Sequence, residues 1–176
     1  NKQDINNQIN ALKNMISNIL LSDKLSTPYI EDLEKKSVKT QELIHDACDM
    51  FYKIEQKLKI TNAIPNTLLY IDKYKLSLAI KNLIDNALKY GWQDNKKIQL
   101  VLKKINNNIE IKIQDFGQGI PEDQIKEIIK PLYRAVGKKT KSGFGLGLSI
   151  TKKIVEAHNG VLKIYSTIDQ GSTFVI

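Results

Sequence analysis

Apolar residues in the first third of the chain are spaced by three and four positions, the interval of one face of an α-helix. The first series comprises Ile5, Ile9, Leu12, Ile16 and Ile19. After the polar stretch SDKLSTP (22–28), the second series comprises Ile30, Leu33, Ser37, Thr40, Ile44, Ala47, Phe51, Ile54 and Leu58, in which the polar Ser37 and Thr40 weaken one layer. Alternating intervals of three and four form the seam along which helices pack as a coiled coil or a bundle. The pattern predicts two helices joined by a short loop, an antiparallel hairpin over residues 1–60.

A lone hairpin has too little apolar surface for a core of its own. We therefore expect it to pair with a second copy of the chain as a dimeric four-helix bundle. The next segment, TNAIPNT (61–67), is predicted to be a linker or a first edge strand.

From residue 68 to residue 176 the pattern changes to a mixture of helical and strand periods. Helical spacing predicts amphipathic helices at about 76–90 and 146–158, the second ended by Asn159-Gly160. Alternating apolar residues predict a hairpin of strands at 98–102 and 109–113, and closing strands near 161–166 and 172–176. The fold class is therefore predicted to be α+β, with the helical hairpin followed by an α/β sandwich that carries helices on one sheet face.

Composition narrows the class of protein. The chain is 41% hydrophobic and 26% charged, which is typical of a soluble globular protein. Its net charge is +8, but the lysines are spread along the chain with no basic stripe interleaved with aromatics, which disfavours a nucleic-acid-binding protein. The single cysteine, Cys48, cannot form an internal disulfide, as expected of a protein in a reducing cytosol.

A polar strip is predicted on the first of the two later helices, in KNLIDNALKY (81–90). Asn82, Asn86 and Lys89 share one side of this helix, away from its apolar face. Carboxamide oxygens can complete the coordination of Mg²⁺ beside phosphate oxygens, and a lysine can contact the phosphates directly. The strip therefore indicates either a phosphate and metal site or a solvated polar face.

Two glycine-rich stretches follow, DFGQGI (115–120) and GFGLGL (143–148). Asp115 ends a predicted strand, where a carboxylate can accept a hydrogen bond from an exocyclic amine or simply cap a tight turn. GFGLGL opens directly into a predicted helix, whose first N–H groups form an anion site. The lysine-rich loop between the two stretches has the length and charge of a lid over a nucleotide.

Together these motifs resemble the catalytic core of sensor histidine kinases, whose ATP-binding domain has the Bergerat fold. KNLIDNALKY is similar to the N box of that family, and DFGQGI and GFGLGL are similar to its first and second glycine boxes. PLYR (131–134) is similar to its F box and GSTF (171–174) to its last glycine box. The boxes stand in the family's order over residues 68–176, with a lid at about 120–142, and the hairpin resembles the dimerisation and phosphotransfer domain.

The resemblance implies an ATP-dependent protein-histidine kinase of a two-component system, with ATP and Mg²⁺ as cofactors. It implies that Asn86 coordinates Mg²⁺, that Asn82 lies beside the phosphates and that Lys89 contacts them. Arg134 would stabilise the charge on the γ-phosphoryl group. The residues that would cradle the phosphates are Gly143, Gly145, Leu146, Gly147 and Leu148.

For the base, the resemblance implies that Asp115 accepts a hydrogen bond from the adenine amine. Tyr90 would lie along the adenine and Thr173 beneath it. Gly117 and Gly119 would let the ring approach the backbone.

The position of the phosphoacceptor departs from the family. There a histidine opens the first helix, followed by an acid and then by a polar residue three positions later. QDINNQ (3–8) fits this register with Asp4 and Asn7, but Gln3 stands where the histidine is expected. The resemblance implies that Asp4 acts as general base and that Asn7 positions water in a phosphatase reaction. Glutamine cannot form phosphohistidine, so the histidine has been substituted, or the protein naturally lacks an acceptor, or the register differs.

Two other functions remain open, a non-catalytic dimeric ATP-binding scaffold and an ATPase with the same nucleotide fold. The other two histidines, His45 and His158, are expected to be structural, the second as a cap at a helix C-terminus. The family implies a homodimer formed through the hairpin, a cognate response regulator and no direct nucleic-acid partner. It also implies the cytoplasmic portion of a longer, membrane-anchored sensor.

Overall fold

The computed structural model describes residues 33–49, 51, 53–91, 93, 95–133 and 145–176. The strands are β1 (Lys36–Lys39), β2 (Leu58–Asn62), β3 (Leu68–Ile71), β4 (Ile98–Ile105), β5 (Asn108–Gln114), β6 (Lys163–Thr167) and β7 (Gly171–Val175). The helices are α1 (Thr40–Cys48), α2 (Lys73–Asn86), the single turn α3 (Glu122–Ile125) and α4 (Gly147–Ala157). A 3₁₀ turn spans Ile54–Gln56, and a π-helical turn at Ala87–Gly91 continues α2.

Five strands form the main sheet in the order β2-β4-β5-β7-β6. The pair β2–β4 is parallel and the other pairs are antiparallel. Alternate side chains point to opposite faces of a sheet, and one face is lined by the buried residues Ile98, Leu100, Leu102, Ile111, Ile113 and Phe174. The other face carries more exposed and more polar side chains, such as Lys112 and Tyr165.

Three helices cover the buried face of the sheet. Helices α2 and α4 pack against each other and α1 packs against α2. Ile80, Leu83 and Ile84 of α2 and Ile150 and Ile154 of α4 have no exposed surface. The predicted α+β sandwich is thus confirmed, and helices α2 and α4 and strands β4 to β7 lie within a few residues of the predicted ones.

The predicted second helix of the hairpin, 30–58, is wrong. Among the residues described there, the α-helix is confined to Thr40–Cys48, because Lys36–Lys39 pairs antiparallel with Leu68–Ile71 and Leu58–Asn62 pairs parallel with β4. Several apolar positions of the supposed seam are buried inside the sandwich, among them Ile44, Ala47 and Leu58. Residues 36–62 therefore share one core with residues 68–176, and TNAIPNT begins as the end of a strand.

The first helix of the predicted hairpin falls on residues outside the described part of the chain. Among the described helices, none has the length and apolar character needed to cross a membrane.

Candidate functional site

A buried carboxylate lies at the C-terminal end of β5. Asp115 is 5% exposed, and its Oδ1 accepts hydrogen bonds from the N–H of Gly117 (3.0 Å) and from the N–H of Ser172 (3.1 Å). Burial raises the pKa of this carboxyl, and the two N–H groups and the Ser172 side chain act in the opposite direction. The end of the strand thus holds a buried, hydrogen-bonded acceptor.

Two glycines allow the backbone to pack closely around this carboxylate. A Cβ on Gly91 would overlap the side chain of Asp115, and a Cβ on Gly117 would overlap the backbone of Tyr90 and Gly91. Gly91 ends the π-helical turn after α2 and its carbonyl accepts from the N–H of Phe116 (3.3 Å). The sequence reasoning missed Gly91, although it directly follows KNLIDNALKY, where a glycine after a helix was a usable signal.

The residue that faces Asp115 from β7 is Ser172, and the predicted Thr173 is wrong in this respect. Ser172 is 6% exposed and shares the buried sheet face with Phe174. Thr173 pairs with Gln114 and Tyr165 on the opposite face. A shift of one residue along a strand moves a side chain to the other face, so the prediction failed by one position.

The predicted strip on α2 leads away from Asp115. Asn82 and Asn86 are half-buried, and the Asn82 Nδ2 lies 3.5 Å from the carbonyl oxygen of Gly147, at the start of α4. Lys89 Nζ is 2.6 Å from Asp85 Oδ2, so this cation has a carboxylate partner one turn earlier. From residue 82 to residue 91 the helix rises by about 13 Å, at roughly 1.5 Å per residue. The strip therefore runs from the surroundings of Asp115 to the start of α4.

The second glycine-rich stretch forms the N-terminal end of α4. Gly145 has a φ of +71°, and a Cβ there would lie 2.5 Å from the Tyr133 carbonyl oxygen. The N–H of Leu132 donates to the Gly145 carbonyl (2.9 Å), which ties the described end of the F-box segment to this stretch. Leu146 is buried and Leu148 packs against the core. Gly147 faces Asn82, with 3.7 Å from a built Cβ to the Asn82 Cγ, so α2 and α4 meet where the phosphates were predicted.

Two further predicted base contacts have different surroundings. Tyr90 is 45% exposed, and its carbonyl rather than its ring packs against Gly117. Gly119 has a φ of +69° and faces the carbonyl of Thr167, so it holds the loop against the β6–β7 turn and not against Asp115. Gln3, Asp4, Asn7, Arg134 and Gly143 lie outside the described residues.

Both histidines contact neighbouring residues of the fold. His158 Nδ1–H donates to the Ile154 carbonyl (2.8 Å) and Nε2 accepts from the N–H of Asp72 (3.0 Å). Burial, first of all, lowers its pKa, so the expected charged cap is replaced by a neutral bridge between α4 and α2. His45 is exposed and pairs with Asp49 across 3.0 Å.

The side chains of α2 fit a metal ion that arrives with phosphates. Within the described ranges, no three His, Cys, Asp or Glu side chains come together to hold an ion. Asn82 and Asn86 offer neutral amide oxygens, and Mg²⁺ accepts such ligands when phosphates and water supply the remainder. The described site thus has an acceptor for a base at one end and amide oxygens beside a helix N-terminus at the other.

Comparison with known proteins identifies the family of this chain. Residues 71–176 match the family model of the histidine kinase-, DNA gyrase B- and HSP90-like ATPases. The adaptive-response sensory kinases SasA of Gloeothece citriformis and Synechococcus elongatus are 32% and 31% identical over 98% and 95% of this chain. The chain spans 44% of the length of each of these two relatives.

The fold also matches solved structures. Full-length ShkA, whose structure was determined in complex with AMPPNP, superposes with a TM-score of 0.75 at 22% identity, over 93% of this chain and 35% of ShkA. The chain thus belongs to the family of histidine kinase-, DNA gyrase B- and HSP90-like ATPases, and it carries the catalytic ATP-binding domain of a sensor histidine kinase.

Proposed function

We propose that this chain is the core of an ATP-dependent protein-histidine kinase that binds Mg·ATP between Asp115 and the start of α4. The observation that carries the proposal is the buried Asp115 carboxylate, held by two backbone N–H groups in a segment that packs closely on Gly91 and Gly117. A turn that only reverses the chain would not need a buried carboxylate, because burying a charged group is costly.

At the base end, Asp115 accepts a hydrogen bond from the exocyclic amine of adenine, and Ser172 flanks the carboxylate. A carboxylate is an acceptor only, so the site favours a ring with a donor at this position. The ring lies beside Asp115, with the exposed side chain of Tyr90 at its edge.

At the phosphate end, Asn86 supplies an oxygen ligand to Mg²⁺, and Asn82 and the free N–H groups at the start of α4 bind phosphate oxygens. When bound, Mg²⁺ would offset the negative charge of the phosphates. Lys89, positioned by Asp85, adds a cation beside the same path. Arg134 and Gly143 complete this end from the lid.

The residue that would accept the phosphoryl group lies among the first residues of the chain. We propose that position 3 is the phosphoacceptor position, that Asp4 is the general base and that Asn7 positions water in the reverse, phosphatase reaction. The chain has Gln3 there, and an amide has no nucleophilic ring nitrogen to form a phosphoramidate. Autophosphorylation of this chain is therefore expected to be absent until a histidine is present at position 3.

Support for the wider assignment comes from the relatives, which are named sensory kinases and histidine-protein kinases. We propose on this basis a homodimer, phosphotransfer to a response-regulator aspartate, and a cytoplasmic location for this domain. Anchoring of the full-length protein to a membrane through other segments stays a prediction.

The test is incubation with γ-labelled ATP and Mg²⁺, followed by mapping of acid-labile phosphate in the unchanged chain and in Gln3→His. Label in Gln3→His only supports the pocket, the register and the disabled acceptor together. The double variant Gln3→His with Asp115→Asn is the control and is expected to stay unlabelled. Label on His45 in the unchanged chain would refute the placement of the acceptor.

A second function is favoured by one observation, which is Gln3 itself. A dimer that binds ATP but transfers no phosphoryl group would act as a signalling scaffold. Measurable ATP binding with no label in either chain would select this function over the kinase.

A further inference from the structure

A short turn outside the glycine-rich motifs contacts the segment that carries Asp115. Gln93 and Lys96 form an isolated antiparallel bridge, in which the N–H of Lys96 donates to the Gln93 carbonyl (3.3 Å). Gln93 Nε2 donates to the carbonyl oxygen of Phe116 at 2.6 Å, and Lys96 Nζ lies 5.4 Å from the centroid of the Phe116 ring. Gln93 and Lys96 are referred to below as the clamp pair.

The clamp pair acts on the peptide that holds the carboxylate. The Phe116 carbonyl and the Gly117 N–H belong to one planar peptide unit, and that N–H donates to Asp115 Oδ1 at 3.0 Å. A hydrogen bond to the carbonyl of an amide polarises the amide and strengthens its N–H as a donor. Gln93 therefore fixes the plane of this peptide and reinforces the bond that orients the Asp115 carboxylate.

The peptide before Phe116 is fixed as well. The N–H of Phe116 donates to the Gly91 carbonyl (3.3 Å), and the N–H of Asp115 donates to the Ser172 carbonyl (2.9 Å). Lys96 adds a cation–π contact to the ring of the same residue, an interaction typical of a cation within about 6 Å of a centroid. Phe116 is thus held by its N–H, its carbonyl and its ring.

The position of the clamp pair argues against a role in core packing. Gln93 and Lys96 are both solvent-exposed, and neither contributes to the apolar core. Their described side-chain contacts converge on the one residue between Asp115 and Gly117.

We propose that Gln93 and Lys96 are positioning residues for the nucleotide base, which set the orientation of Asp115 and through it the preference for a ring with an exocyclic amine. This inference rests on the proposed ATP-binding function. Neither residue touches the base; both act through Phe116 and the Gly117 peptide.

The test uses titration calorimetry with Mg·ADP and Mg·IDP, because inosine lacks the exocyclic amine and carries a carbonyl in its place. In the unchanged chain ADP is expected to bind more tightly than IDP. In Gln93→Ala and in Lys96→Ala, ADP affinity is expected to fall by roughly three- to tenfold, because a less well oriented Asp115 loses part of its hydrogen bond to the exocyclic amine, while IDP affinity changes little. The ratio of the two affinities therefore falls.

Two further variants make the test specific. Lys96→Arg keeps a cation over the ring and is expected to retain the ADP preference. Lys97→Ala removes the same charge from the next position, where Lys97 Nζ donates to the Glu55 carbonyl at 3.0 Å, and is expected to leave both affinities unchanged. Thermal melting of each variant reports whether the fold is kept.

The outcomes separate this inference from the proposed function. If the unchanged chain binds neither nucleotide, or binds both equally, Asp115 does not recognise the base as proposed. An unchanged chain that prefers ADP, with clamp variants that keep the same ratio of affinities, overturns the role of the clamp pair alone. A drop in the melting temperature with an unchanged ratio would show that the pair is only structural.

Discussion

At the scale of single residues, one buried carboxylate, Asp115, accounts for the main cost of the site to the stability of the fold. Asp115 is kept beside two N–H donors, yet its pKa is raised because burial outweighs them. A group whose pKa is higher in the folded than in the unfolded chain stabilises the fold at low pH, and this contribution is lost as the pH rises through the folded pKa. At neutral pH the ionised side chain is thus retained at the expense of stability, as expected for a binding residue.

Replacement of this carboxylate should separate stability from binding. In Asp115→Asn the amide oxygen still accepts from Gly117 and Ser172, while the buried charge is gone. We expect a higher melting temperature at pH 7 than in the unchanged chain, a smaller difference near pH 4, and loss of measurable ATP affinity. Scanning calorimetry at both pH values checks this, and a variant that is less stable at pH 7 would contradict it.

A second buried polar group is a stability defect without a binding role. Thr151 has no exposed surface, and its Oγ1 finds no hydrogen-bond partner among the described residues. A buried, unsatisfied hydroxyl costs about 1–3 kcal/mol. Thr151→Val has the same shape without the hydroxyl, so we expect the free energy of unfolding to rise by about 1 kcal/mol, measured by urea denaturation.

The matched control is Thr40, which is equally buried but donates its hydroxyl to the Ile64 carbonyl. Thr40→Val is expected to lower the free energy of unfolding because it removes the hydrogen bond to the Ile64 carbonyl and the hydroxyl that accepts from Asn62 Nδ2. If both substitutions shift stability in the same direction, the hydroxyl of Thr151 is not the cause.

At the scale of elements, the two helices that frame the site are joined at their far ends by one ring. His158 follows α4, and its Nε2 accepts a hydrogen bond from the N–H of Asp72, the N-cap residue of α2. Asp72 Oδ1 in turn accepts a hydrogen bond from the N–H of Lys75. The groups that face the imidazole are Lys35 and Lys75, which disfavour its protonation, and Asp72, which favours it. Protonation of Nε2 would remove the acceptor that joins the helices.

This bridge predicts a pH dependence. The pKa of His158 is lowered in the fold, so the unfolded chain takes up the proton first, and stability is lost as the pH falls from about 6.5 through the folded pKa. We expect the urea midpoint to drop between pH 7.5 and pH 5.5, and to drop less in His158→Gln. His45→Gln, which removes the exposed histidine, is the control and should keep the full drop.

The elements that frame the site could be predicted, and those before it could not, for a physical reason. α2 and α4 are long enough to show their helical period, and β4 and β5 alternate cleanly around a turn. In 30–58 the apolar intervals of three and four arise from a strand, a helix of nine residues and another strand in succession. Their partners, β3 and β4, lie far along the chain, so the local pattern could not distinguish them from one long helix.

Individual residues of the site were harder to predict than the elements that carry them. Asp115 was found because it ends a clear strand, whereas Thr173 was taken from the family resemblance, which does not show on which face of β7 a side chain lies. Gly91 and the clamp pair carry no periodic signal at all. Their role depends on the approach of the segment after α2 to the end of β5, which only the fold brings about.

At the scale of the whole molecule, the sandwich requires β1, α1 and β2. Leu43, Ile44 and Leu58 are each at most 5% exposed, and burial of such a side chain contributes about 1.5–3 kcal/mol. Their sum is comparable with the whole stability of a domain, about 5–15 kcal/mol. We expect residues 33–176 to melt cooperatively and residues 61–176 to lack a cooperative transition by circular dichroism. A folded 61–176 fragment would restore the domain boundary that the heptad pattern suggested.

The most direct test of the account is titration calorimetry of the chain with Mg·ATP and with Mg·GTP. Adenine offers an amine to the Asp115 carboxylate, whereas guanine places a carbonyl there, and two acceptors repel. We predict that ATP binds and that GTP binds at least about tenfold more weakly, the effect of one lost hydrogen bond to a charged group. Equal affinity for the two nucleotides, or no binding of either, would contradict the account.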